Sequence, residues 1–181
     1  MLIVISSKAG IVYVVLFQSD LLDEINLKIL DILSRDASKP FVEIARLLGI
    51  SDATVHMRVR RLVASGIIRS FTISTDSRML GYSHLAFMGI NIRQGCADEI
   101  VGFLSKQDEI MEVHEIHGRF DILLKIRAKS LEEMRDIIVN KVRQLPQISE
   151  AELMTVLKTI KEEQSVPLAK DIADSMGAAA T

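Results

Sequence analysis

Between Phe41 and Ile68, read FVEIARLLGISDATVHMRVRRLVASGII, apolar positions recur at helical spacing in two short runs separated by one break. Ile44, Leu47 and Leu48 mark the first helix, and Gly49 stands where a helix stops in a left-handed residue. Ser51 stands where the next helix needs a cap, its hydroxyl placed to accept from a backbone N–H near Thr54. From that cap Val55, Val59 and Leu62 follow at four and three residues, one apolar stripe facing the first helix. Upstream, Leu22, Ile25, Ile29, Leu30 and Leu33 predict a third helix over Leu21–Leu33, with Asp20 as cap and Asp23 and Glu24 in the first turn, where the helix dipole favours carboxylates. Asp36–Pro40 breaks it. After Gly66, the run IIRSFTIST predicts a strand, either a wing or an arm leading out of the domain.

The pattern changes beyond a turn-rich linker at 75–83, which contains DSRMLGYS. Strands are predicted over His84–Ile92, Ile110–Ile116, Phe120–Ala128 and Ile148–Ile160, and helices over Ala97–Lys106 and Ser130–Leu145. The order βαββαβ is that of a ferredoxin-like domain, with helices on one face of an antiparallel sheet. Apolar residues on both parities, as in Ile122, Leu123, Leu124 and Ile126, predict burial of the other face too, and hence dimerisation through the sheet. The fold class is therefore α+β, with an N-terminal helix-turn-helix domain over 20–74 and a C-terminal domain over 84–162. The tail, 163–181, ends in GAAAT and offers little to pack.

Residues 1–19 carry two apolar runs, Leu2–Ile5 and Ile11–Phe17, each far short of the ~20 residues of a spanning helix. The only lysine lies inside the apolar part, which argues against a signal peptide. A hairpin or added edge strand fits the β-branched content; a biological start further along the chain is the other reading.

With 181 residues, 49% of them hydrophobic, the chain can bury two cores, and global disorder is excluded. A net charge of −2 rules out a basic body coating nucleic acid, so any such binding needs a local patch. That patch is the helix after Ser51. Asp52, Ala53, Thr54, His56 and Met57 crowd its first turns, and Arg58, Arg60 and Arg61 follow, all read as pointing away from the apolar stripe. Small and polar groups at the tip suit base edges in a major groove, and guanidinium groups behind them suit phosphates. The competing reading is a solvated amphipathic helix with a chance run of arginine.

Cys96 is alone, so the chain builds neither a disulfide framework nor a cysteine-based zinc site, and a reducing cytoplasm fits. His114 and His117 are three apart, a spacing that on a strand turns them to opposite faces, so no metal site is expected. Neither a phosphate-binding glycine loop nor a nucleophile motif is present; neither an enzyme nor a cofactor is expected.

From Leu22 to Lys161 the chain resembles the leucine-responsive and asparagine-synthase regulator (Lrp/AsnC) family of transcription factors. The likeness rests on LDEINLKILDIL, on EIARLLGIS followed by TVHMRVRRL, on SGII and on Gly81. Further on it rests on EIMEVHEIHGRFDILLKI and on Leu145–Pro146. The sequence departs from the family with His117 and Leu153 where threonines are usual, Gln147 for a glycine, and Asn26 for a frequent aspartate, which is read as structural. The resemblance implies a winged helix-turn-helix domain, a dimerising effector domain that often stacks into tetramers or octamers, double-stranded DNA as partner and no membrane. It also implies an amino acid or related small molecule bound between dimers near HGRFD, which makes His117, Gly118, Arg119 and Asp121 the effector candidates. In that loop Gly118 can take a positive φ and expose N–H groups to a carboxylate, while Asp121 accepts from an ammonium group. The alternative is a tight hairpin in which Asp121 caps a backbone N–H. A second function class stays open, a small-molecule-binding oligomer whose helical domain serves assembly alone.

Overall fold

The computed structural model describes residues 21–163, 165–169 and 171–173. The strands expected within 1–19, the cap expected at Asp20 and the end of the tail lie outside them. Contacts gather into two units, one holding the described residues up to Ser74 together with those from Glu163 onward, the other Thr75–Glu162.

The first unit is a three-helix core. Helix α1, Glu24–Arg35, starts at Asp23, whose carboxylate accepts from Asn26 N–H at 2.7 Å. Asp23 is thus the cap itself, not a first-turn residue. Helix α2, Phe41–Leu48, ends at Gly49 with φ 67°, a left-handed geometry that a Cβ would strain. Helix α3, Asp52–Ala64, opens on Ser51, whose Oγ accepts from Thr54 N–H at 3.1 Å. Ile29, Leu33, Ile44, Ala45, Val55, Val59 and Leu62 form the buried core. Two faces depart from the apolar pattern. Leu47 is 61% exposed while Ala45 joins the core at 4%, and Asn26 is only 3% exposed beside Leu27. The strand expected over Ile67–Thr75 does not form among the described residues. Phe71 and Ile73 are exposed there; a strand needs a partner for its N–H and C=O groups, and the described residues supply none.

The second unit is a four-stranded antiparallel sheet in the order β2-β3-β1-β4, from β1 His84–Ile92, β2 Ile110–Glu115, β3 Ile122–Ala128 and β4 Ile148–Thr155. The first crossover is α4, Ala97–Leu104, and the second is α5, Leu131–Asp136, which winds on as a π-helix over Ile137–Arg143. Ser130 caps α5 by accepting from Glu133 N–H at 3.1 Å. Ala86, Met88 and Ile90 of β1 and Ile122, Leu124, Ile126 and Ala128 of β3 bury against both crossover helices. The opposite face carries the other parity, Phe87, Leu123, Lys125 and Arg127, and is half-covered within the chain. Full burial of both faces, expected from Ile122 to Ile126, is therefore not met in a single chain. Of the apolar residues in that run, only Leu123 has the second parity.

Candidate nucleic-acid interface

Along α3 each residue turns the chain by about 100°, so the positions opposite Val55, Val59 and Leu62 form one outer face. Asp52, Ala53, His56, Met57, Arg60, Arg61 and Ala64 line it as a single shallow surface. Met57 is 47% exposed at its centre. Arg60 and Arg61 are exposed and make no ion pair among the described residues.

Two of the polar residues are partly held. His56 packs edge-on against the Phe41 ring with centroids 4.7 Å apart and lies 3.8 Å from the Asp52 carboxylate, which orients the imidazole. Thr54 is half-buried at the flank, its Oγ1 2.7 Å from Ser51 Oγ, so both hydroxyls are engaged in the cap. Arg58 departs from the sequence reading altogether. Its guanidinium turns back toward α1, where NH1 donates to Asp23 Oδ2 at 2.6 Å and to Asn26 Oδ1 at 3.1 Å. It sits three residues after Val55 and four before Leu62, on the flank of the buried stripe. A carboxylate 35 residues upstream, rather than solvent, decides its direction. Ala64 extends the outer face by one turn, a position that the spacing from Arg60 already marks. Phe41 as the neighbour of His56 has no such signal.

The loop after β2 is closed on itself. Ile116 N–H donates to Asp121 O at 2.9 Å, and Asp121 N–H donates to Ile90 O at 3.1 Å. Asp121 Oδ2 accepts from Ile92 N–H at 2.9 Å, which ties the loop to β1. Gly118 lacks a positive φ, contrary to the conformation expected of it, so no left-handed nest forms there. Arg119 reaches Glu152 at 2.6 Å and Glu150 at 3.7 Å on β4 and lies over the Phe120 ring at 4.9 Å. His117 is exposed. Of the four candidates, therefore, His117 faces solvent, while Arg119 and one oxygen of Asp121 serve the fold.

On the half-covered sheet face, Lys125 is 12% exposed and its Nζ donates to Glu112 at 2.8 Å and to Glu162; Arg127 donates to Glu162 at 2.8 Å. Burial opposes the ammonium charge, but the hydrogen bonds to Glu112 and Glu162 outweigh it, and the Lys125 pKa is raised. Hydrogen bonds from Lys125 hold the Glu112 and Glu162 carboxyls below their ordinary value. Among the described residues no group of three or more histidines, cysteines or carboxylates is gathered for a metal ion, and no helix is long and apolar enough to cross a membrane.

Residues 22–63 match the AsnC-type helix-turn-helix domain, and residues 85–166 match the Lrp/AsnC ligand binding domain. The HTH-type transcriptional regulator FL11 of Pyrococcus horikoshii is 39% identical over 147 residues, covering 81% of this chain and 97% of that protein. Among solved structures, E. coli AsnC superposes with a TM-score of 0.75 at 26% identity, over 80% of this chain and 98% of its own. A transcriptional regulator of Neisseria meningitidis, solved as a complex with L-Met, gives a TM-score of 0.77 at 21% identity over 82% and 97%, a likeness of fold.

Proposed function

Because the chain belongs to the Lrp/AsnC family of DNA-binding transcriptional regulators, we propose that it docks the outer face of α3 in the major groove of an operator. Asp52, His56 and Met57 meet base edges, with Ser51 and Thr54 at the capped tip, and Arg60 and Arg61 hold phosphates. The observation that carries this reading is the segregation of α3. One side is core and the Arg58 contact to α1, and the other gathers on a single exposed surface small and polar groups and two arginines with no ion pair among the described residues.

The protein acts as a homodimer formed through the half-covered sheet face, with tetramers or octamers built from dimers, in the cytoplasm. Two α3 helices related by a two-fold axis then require a palindromic operator, its half-sites one turn, ~34 Å, or a multiple apart. Selecting bound fragments from the source genome and titrating salt tests this. A slope of log K against log salt well below zero supports the regulator. A flat line supports the alternative, an oligomeric small-molecule binder whose helical domain serves assembly.

The effector of this proposal is an amino acid or a related small molecule held between dimers at the loop His117, Gly118, Arg119 and Asp121. Oδ1 of Asp121 has no hydrogen bond among the described residues and is the acceptor left for an ammonium group. A thermal-shift screen of amino acids checks this, since saturation at a hundred times the dissociation constant stabilises by about 2.7 kcal/mol. Asp121→Asn keeps an acceptor for Ile92 N–H while removing the charge. Its retention of the ligand-induced shift would assign the loop to the fold alone.

A further inference from the structure

Val55, Val59 and Leu62 seat α3 on its neighbours through apolar contact alone, and such contact is non-directional. Side chains of a helix reach ~5 Å from its axis, so a rotation of 20° displaces their tips by about 2 Å. That exceeds the ~0.5 Å window within which a hydrogen bond to a base edge keeps its strength. Reading bases from this helix therefore needs something that fixes its rotation, and the apolar seam does not.

A polar clasp meets that need. Arg58 NH1 donates to Asp23 Oδ2 at 2.6 Å and to Asn26 Oδ1 at 3.1 Å. The other oxygen of Asp23, Oδ1, accepts from Asn26 N–H at 2.7 Å, and Asn26 Nδ2 donates to Leu21 O at 3.1 Å. Arg58 is thus bound to both side chains, and each of those is bound to the backbone around the start of α1. The Arg58 side chain is 22% exposed, and its Nε is buried with no partner among the described residues. An arginine that leaves one donor unmet in order to reach two acceptors is held by geometry, not by solvation. Within the cluster Asp23 is the only carboxylate and Arg58 the only cation. The charge attraction is therefore one ion pair between the first residue before α1 and the middle of α3, with a second hydrogen bond to Asn26 beside it.

We propose that Arg58 is a positioning residue for DNA recognition, one that touches no DNA and sets the rotation of α3 by clasping the N-cap of α1. The inference rests on the reading of α3 as the recognition helix. It also removes Arg58 from the phosphate contacts that a run of arginines suggests.

The test uses the full-length protein, the operator recovered by fragment selection, and a random duplex of equal length. Asp23→Asn is the cleanest variant, since asparagine caps helices as well as aspartate does and α1 is retained. Arg58→Met is its counterpart on α3. Each is assayed well below its melting temperature. Both should lower affinity for the operator by about tenfold while leaving random-duplex affinity and the salt slope unchanged, and the double variant should be no worse than either single one. A slope reduced by about 1 in Arg58→Met would make Arg58 a phosphate contact and overturn the proposal. Equal loss on operator and random duplex, or an unchanged operator preference in Asp23→Asn, would reduce the clasp to a purely structural tie. If instead His56→Ala and Arg60→Ala leave binding untouched, α3 does not read DNA, and this inference falls with that reading.

Discussion

Replacing Gly89 with alanine should break the seat of the loop that follows β2, because a Cβ there would lie 2.2 Å from Cδ2, 2.5 Å from Cγ and 2.6 Å from Cε2 of Phe120. Carbon atoms approach to about 3.5 Å, so the ring must retreat by ~1.3 Å or leave. Retreat overpacks a site where Phe120 is 8% exposed, at a cost of about 1–3 kcal/mol. Expulsion instead forfeits about 1.5–3 kcal/mol of burial and loosens the bonds from Asp121 to Ile90 and Ile92. Alanine recovers roughly 0.5–1 kcal/mol through the backbone entropy that glycine loses on folding. The net expectation is destabilisation by about 1–2 kcal/mol, read by urea unfolding at fixed protomer concentration. Phe120→Ala alone should cost about 3–5 kcal/mol. In that background Gly89→Ala should be neutral or slightly stabilising, because the atoms it strikes are gone. Equal cost in both backgrounds, or a single-variant effect under ~0.5 kcal/mol, would refute the clash as the reason for glycine at this position.

Arg60→Ala and Arg61→Ala should each weaken binding to all sequences alike and lower the salt slope by about 1 per contact, whereas His56→Ala should change preference at particular operator positions by roughly 1–3 kcal/mol. A binding-site logo altered by Arg60→Ala and not by His56→Ala would exchange their roles. Ser51→Ala removes the acceptor for Thr54 N–H and should lower stability by about 1 kcal/mol, visible as a lower denaturation midpoint. Glu112 and Glu162 have lowered pKa values, so their contribution is full above the ordinary value of 4.5 and is lost as pH falls through the folded values below it. Lys125, raised above 10.5, contributes fully below that pH, and its share is lost as pH climbs through the folded value. The stability gap between the parent protein and Lys125→Met should therefore be widest near neutrality and close at both extremes; a pH-independent gap would mean that lost packing alone sets it.

The sequence by itself determined what depends on neighbours within a turn or two. Gly49 and Ser51 announce the break between α2 and α3 because a left-handed stop satisfies a carbonyl four residues back and a hydroxyl cap an N–H three residues on. The stripe Val55, Val59, Leu62 and the βαββαβ order are legible for the same reason, since one face of a helix or strand is set by its own period. Tertiary structure decided whatever turns on a partner distant in the chain. Arg58 looks like Arg60 and Arg61 in sequence, yet Asp23, 35 residues away, draws it inward. Asp121 looks like a free acceptor until β1 brings Ile92 N–H to it. Leu47 fits the helical spacing but faces solvent, because Ile44 and Ala45 are the residues of α2 that the packed core buries. Ile67–Thr75 has strand composition and no strand, since helix hydrogen bonds close within a segment while strand hydrogen bonds must be supplied from elsewhere.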